Sequence, residues 1–274
     1  MSYTMRYTIL GFVATLAAGA HVTALAATGS FRQSLDVGTP LELEVTTGSG
    51  SITIRRGAPG QVEVVGEIRA GEGFSFWRSG ADPEETVRAL EADPPIELSG
   101  NRLRVGHIDD PDYRHNVSIS YEITVPADTA VESHTGSGSQ MVSGLAGSVM
   151  AETGSGSIEL SNIDGDVRVG TGSGGIRADG IAGAFTGHAG SGSITLEQTE
   201  SGAIDVTTGS GSVRIRLPQD APFELDARTG SGGITTDRPL TIQGRVDRNG
   251  IRGSAGTDGP PIRVRTGSGS VRIE

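Results

Sequence analysis

The stretch VMAETGSGSIELSNIDGDVRVGTGSGGIRA, residues 149–178, contains the phrase T-G-S-G twice, 18 residues apart. Each copy follows a short alternating segment (Val149 and Ala151; Val167 and Val169) and precedes another (Ile158 and Leu160; Ile176 and Ala178). A period of two marks a strand with one buried face. The phrase is therefore the bend between two strands rather than a flexible tether.

Five further copies and one variant, A-G-S-G at 189, extend the pattern outward. The first glycines stand at 48, 136, 154, 172, 190, 209, 230 and 267, with central spacings of 18, 18, 18, 19 and 21. Five residues before them come Leu43, Val131, Val149, Val167, Phe185, Ile204, Leu225 and Ile262, all apolar. Four residues after them come Ile52, Gln140, Ile158, Ile176, Ile194, Val213, Ile234 and Val271, with Gln140 the one exception. Outward positions line up as Glu159, Arg177, Thr195 and Arg214, and as Arg168, Thr186 and Asp205, so no like charges are expected to stack.

A fixed period with two short strands predicts an all-β fold, a single-chain parallel β-solenoid of about 18-residue coils in which every strand pairs with its equivalent one coil above and below. Glycine suits the bend because it accepts φ > 0 and lets backbone approach backbone. Ser and Thr there can bond backbone groups that a turn leaves unpaired. One coil hides about five aliphatic side chains, at roughly 1.5 to 3 kcal/mol each, against an ordering cost of about 1 to 2 kcal/mol per residue. Only a stacked array is stable.

Three divisions follow. Residues 1–26 read as a signal peptide: Arg6 is the positive n-region, Thr8 to Ala20 is a short apolar run, and Ala24-Leu25-Ala26 fits the cleavage rule. An uncleaved membrane anchor is the other reading of this run, and no later segment is apolar enough to span a bilayer. Residues 27–130 read as a β-rich cap that packs on or continues the solenoid, with a helix over Pro83 to Ala92 capped by Asp82 and carrying Val87 and Leu90 on one face. Residues 131–274 hold the regular repeats, with a bulge at Gln243 to Pro261 before the last coil. Phe74, Phe76 and Trp77 are read as packing residues where cap meets solenoid, with an exposed sugar-stacking residue as the other reading of Trp77.

Composition narrows the function. The chain has 22 arginines, no lysine, no cysteine and a net charge of −11. That balance argues against a general nucleic-acid binder, and the missing cysteines leave packing alone to stabilise an exported protein. Forty-three glycines without a three-residue period exclude collagen.

These units, with YEITVPADTAVE at 121–132 and RIRLPQDAPFELDARTGSGGI at 214–234, resemble the bacterial DUF4097 family, also labelled candidate adhesins. More distantly they resemble the head domains called autotransporter adhesins. The resemblance covers essentially all of the mature chain. It implies a β-solenoid, in the usual prediction right-handed, and a role at the cell envelope or surface, and it carries over no catalytic residue.

The residues themselves offer little chemistry. Calcium-binding solenoids need an aspartate in every turn, whereas Asp164, Asp166 and Asp179 do not recur in register. One local cluster of metal-type residues, HIDDPDYRH at 107–115, supplies His107, Asp109, Asp110, Asp112 and His115 at a spacing that matches no established metal pattern. It reads as an acidic turn or, less simply, a divalent-metal loop. The phrase serines lack a recurring histidine: His134 and His188 precede the glycines in only two units. No cofactor is implied. The expectation is an exported, non-enzymatic, adhesin-like scaffold or binding module, in the periplasm or at the surface, with an envelope protein or a glycan as partner. The alternatives are a carbohydrate-active or metal-dependent enzyme using residues 107–115, and an envelope-stress or sensory accessory protein.

Overall fold

The computed structural model describes residues 26–71, 82–108, 117–242 and 249–274. The chain opens with β1 (Ala27–Asp36), β2 (Glu42–Thr47), β3 (Ile52–Arg56) and β4 (Gln61–Ala70), followed by α1 (Pro83–Ala92), β5 (Ile96–Ser99), β6 (Arg102–Val105) and β7 (Val117–Val125). The repeats give paired strands: β8 (Ala130–Thr135) with β9 (Gln140–Leu145), β10 (Val149–Thr153) with β11 (Ile158–Ile163), and β12 (Val167–Ser173) with β13 (Ile176–Ile181). They continue as β14 (Phe185–Ser191) with β15 (Ile194–Gln198), β16 (Ile204–Ser210) with β17 (Val213–Arg216), and β18 (Phe223–Ser231) with β19 (Ile234–Thr236). The chain closes with β20 (Thr241–Ile242), β21 (Gly250–Ala255), β22 (Pro261–Ser268) and β23 (Val271–Ile273).

Each phrase turns the chain from one sheet into the other. Among the described residues the first sheet runs β1-β4-β7-β3-β9-β11-β13-β15-β17-β23-β19, and the second β20-β21-β18-β22-β16-β14-β12-β10-β8-β2-β6-β5. Parallel ladders join the coils in register, for instance Val149↔Val167 and Ile158↔Ile176. Between the sheets lies a continuous apolar column in which Leu43, Val149, Ile158, Leu160, Ile194 and Val206 are all buried. The fold is thus the predicted β-solenoid.

Its order differs from the expected one at both ends. The coil of β2 and β3 lies inside the coil of β6 and β7, and pairs directly with β8 and β9. At the other end β22 and β23 slide between the coils of β16/β17 and β18/β19. The last phrase in sequence is therefore the penultimate rung in space. Two identical octapeptides, TGSGSVRI at 208–215 and 266–273, lie side by side as a result. Antiparallel strands finish each end: β4 and β1 beyond β7, β5 beyond β6, and β21 with β20 beyond β18.

The bends explain their own composition. A Cβ built on Gly156 would lie 2.0 Å from the Gly138 carbonyl oxygen, and one on Gly154 would lie 2.6 Å from that of Gly136. Close stacking, rather than a positive φ, demands glycine at these central bends. In six of the phrases the threonine points inward and donates to the carbonyl of the second glycine one coil away, as in Thr153 to Gly138 at 3.0 Å, Thr171 to Gly156 at 2.9 Å and Thr208 to Gly192 at 3.0 Å, whereas Thr47 donates to the Ile119 carbonyl of β7 at 2.8 Å. Each bond adds about 0.5 to 1.5 kcal/mol and fixes the register of its coil.

Gln140, the polar residue at an otherwise apolar place in the repeat, is buried and satisfied. Its Oε1 accepts from Ser133 Oγ at 2.5 Å and its Nε2 donates to the Glu152 carbonyl at 2.5 Å. Phe185 fits because Gly187 in the same strand leaves it room; a Cβ there would meet the ring at 2.7 Å. The predicted helix forms over Pro83–Ala92, with Asp82 accepting from the Glu84 N–H at 2.9 Å and Val87 and Leu90 buried. Tyr121 is buried under the cap, 6.4 Å from Phe31 between ring centroids, and burial pushes its phenol above the ordinary range.

Candidate binding faces of the solenoid

Alternation leaves two flat outer faces, one per sheet. On the face of the first sheet the expected column Glu159, Arg177, Thr195 and Arg214 forms in register. The column then continues Arg214↔Arg272, a like-charge pair that arises because the last coil inserts next to β17. Glu274 offsets it, facing Arg272 at 2.7 Å, Arg216 at 3.4 Å and Arg214 at 3.6 Å, while Asp237 takes Arg272 at 2.9 Å. The second sheet also breaks the expected rule, with Glu44↔Glu132 and Arg228↔Arg265 in register.

The second face carries a pronounced concavity. A trench of about 630 Å³ crosses β2, β8, β10, β12 and β14 at right angles to the strands, walled by Glu42, Glu132, Asp166 and Arg168 and by Met150 and Thr186. Small residues at the strand starts, Ala130, Ser148 and Ala184, open it. Its carboxylates are already oriented: Glu42 takes Arg102 at 2.7 Å, Glu132 takes His134 at 3.0 Å, and Asp166 accepts from the Ala184 N–H at 3.0 Å. The trench therefore presents a fixed polar pattern rather than one free charge. Its volume lies within the range of ligand sites. A second, shallower depression of about 430 Å³ sits beside it over Gly170, between Glu152 and His188, with His134 at its rim.

Toward the far end the charge of the chain changes. Residues 131–213 carry two arginines against nine carboxylates, whereas residues 214–274 carry ten against seven. Asp226 gathers Arg252 at 2.6 Å and Arg228 at 3.3 Å, and the hydrogen bond from Arg252 leads in holding its carboxyl below the usual range.

Of the residues singled out for metal binding, His107 is exposed just after Gly106, while Asp109, Asp110, Asp112 and His115 lie outside the described residues. So do Phe74, Phe76, Trp77 and residues 1–25. Among the described residues no group of three or more His, Asp or Glu side chains is placed to hold a metal ion. His134 and His188 share one face, but Glu132 and Glu152 flank His134, at 3.0 and 3.5 Å. The trench was not foreseen; its only signal was the run of small residues at the strand starts.

The coils of 18 to 21 residues, with their parallel ladders and glycine bends, fall within the match to one family model, Toastrack DUF4097, which covers residues 114–274. The chain belongs to the DUF4097 family. Among solved structures it is similar to a candidate adhesin from Bacteroides fragilis, at 12% identity and a TM-score of 0.42 over 90% of this chain and 97% of the other. It is also similar to a candidate cell adhesion protein from Clostridium sporogenes, at 12% identity and a TM-score of 0.37 over 89% and 99%. No curated protein matches the chain. Among the described residues of this DUF4097 chain, no helix is long and apolar enough to cross a membrane.

Proposed function

We propose that this DUF4097 protein is an exported, non-enzymatic, adhesin-like scaffold that binds an extended partner of the cell envelope or surface along the face of its second sheet. One observation carries the reading: the trench crosses five strands along the solenoid axis, open to solvent, with an orderly set of ion pairs and short side chains. Such a shape suits a polymer, glycan or peptide, laid along the axis, with many weak polar contacts and no single dominating one. The exported location rests on the leader read from residues 1–26, and the partner class on the form of the trench.

The test is direct binding of the purified chain to arrays of envelope glycans and peptides, with Met150→Trp to fill the trench and Arg214→Gln on the opposite sheet as control. Selective binding lost on Met150→Trp and kept on Arg214→Gln supports the proposal. Binding that ignores Met150→Trp, or turnover of a bound glycan, defeats it.

A further inference from the structure

Among the described residues, β1 is the outermost strand of the first sheet and pairs on one side only, with β4. Two bonds fix which of its backbone groups face outward. The Val37 N–H, just past the strand, donates to the Gly60 carbonyl at 2.9 Å, so odd-numbered residues turn their polar groups toward β4. The Ser30 N–H instead donates to Glu91 Oε1 of α1 at 2.8 Å, so even-numbered residues turn theirs to the open side. Glu91 thus caps the edge at Ser30. Beyond it, among the described residues, the outward groups of Arg32, Ser34 and Asp36 meet no other strand. An unpaired edge of this kind is a template for another strand.

The residues along that edge indicate which strand fits. We propose that β1 pairs antiparallel with β1 of a second copy about a two-fold axis at Ser34, joining the first sheets of two chains. Under that axis Ser34 faces the partner's Ser34, Arg32 faces the partner's Asp36, and Asp36 faces the partner's Arg32. All three pairs are of the hydrogen-bonded kind, in which two residues exchange both N–H···O bonds. Arg32 and Asp36 are exposed on one face of the strand, and Arg32, held by Glu63 of β4 at 2.5 Å, keeps its second nitrogen for the partner's Asp36, so opposite charges meet twice. A one-residue slip in register would set even-numbered residues against odd-numbered ones and turn hydrogen-bonding groups away from each other, and moving the axis to Gln33 would set Arg32 against Ser34 rather than Asp36. Isologous pairing of this sort closes at two copies, and Glu91 stops it from running on past Ser30.

The experiment is light scattering and sedimentation of the full chain, with two single variants and their mixture. The purified chain should be dimeric at about 100 µM, a weak-association range. Asp36→Arg alone sets Arg against Arg, and Arg32→Asp alone sets Asp against Asp; each should weaken association by about tenfold. Mixed in equal amounts, the two restore both opposite-charge pairs and should form a heterodimer of parental affinity. Ser34→Pro, which removes the N–H at the axis without changing charge, should also leave a monomer of unaltered circular dichroism. A parental chain that stays monomeric at that concentration, or single variants that associate as the parent does, or a mixture that remains monomeric, overturns the pairing.

Discussion

Thr171 Oγ1 donates to the carbonyl oxygen of Gly156 at 2.9 Å, one coil below its own, and the same bond recurs at every threonine whose coil stacks on another phrase. The phrase that begins with Ala189 lacks it. Ala189 is buried between Thr171 and Thr208 in register. Ala189→Thr should supply a donor to the Gly174 carbonyl and stabilise the fold by about 0.5 to 1.5 kcal/mol, whereas Thr171→Val should cost about 1 to 3 kcal/mol by stranding that of Gly156. Urea midpoints at constant slope give both values, and a destabilised Ala189→Thr would show that Phe185 and Gly187 already fill the space.

Two glycines of one rung, Gly170 in β12 and Gly174 in the bend after it, separate bend geometry from mere smallness. A Cβ on Gly174 would lie 2.0 Å from the Gly156 carbonyl oxygen, while one on Gly170 meets nothing nearer than Glu152 Cγ at 3.8 Å. Gly174→Ala should therefore unfold or strongly destabilise the stack, and Gly170→Ala should be neutral or gain up to about 1 kcal/mol from reduced chain freedom. Equal effects in thermal melts would refute the close-contact explanation.

The coil was legible because Ile158, Ile176 and Ile194 recur at one place in a fixed period, and because a bend repeated that often has to be structural. The helix was legible from Asp82, Pro83 and the Val87–Leu90 face. Rung order was not, since parallel in-register ladders are degenerate: a strand ending in TGSGSVRI fits beside any other phrase, and side-chain pattern alone cannot say that β22 enters below β18. The trench escaped notice for a related reason. It is made by what Ala130, Ser148 and Ala184 lack, and a period-two reading treats those positions as filler.

Ser133 and Gln140 form one buried polar unit, so their substitutions should not add. Ser133→Ala alone leaves Gln140 Oε1 without its donor, at about 1 to 3 kcal/mol. Gln140→Ile alone strands Ser133 Oγ on its weaker 3.5 Å contact with the Met150 carbonyl. The double variant Ser133→Ala with Gln140→Ile matches the aliphatic pattern of the other coils and should recover most of the loss. A double-mutant cycle with a coupling near zero would contradict this.

Asp226 offers a pH-dependent handle. Its carboxyl is depressed in the folded chain, first through the hydrogen bond from Arg252, with Arg228 adding to it. A folded-state depression stabilises above the unfolded carboxylate range and is lost as pH falls through the folded value. Replacing Arg252 with glutamine should raise that folded value, so that acid-induced loss of the C-terminal rungs begins at higher pH than in the parent. Carboxyl titration by NMR reads Asp226 directly, and an unmoved midpoint would assign the depression to another group.

The inserted position of the last coil makes the chain's end a keystone. β22 bonds to β16 on one side and to β18 on the other, and β23 likewise joins β17 to β19. Until residues 261–274 are in place, the rung of β18 and β19 has no coil to stack on, and the β20–β21 cap rests on that rung alone. Deleting residues 261–274 should therefore release the whole segment from Pro218 onward rather than trim one rung, since a single coil cannot offset its own ordering cost. Amide exchange should show Phe223–Ser231 losing protection while Val149–Thr153 and Ile158–Ile163 keep theirs, because local stability follows the contacts each rung retains. Supplying residues 261–274 as a peptide should restore protection of β18, the empty slot being complementary to that one segment. If β18 stayed protected without it, the end coils would have to stack directly on β16, and the threaded order would lose its structural purpose.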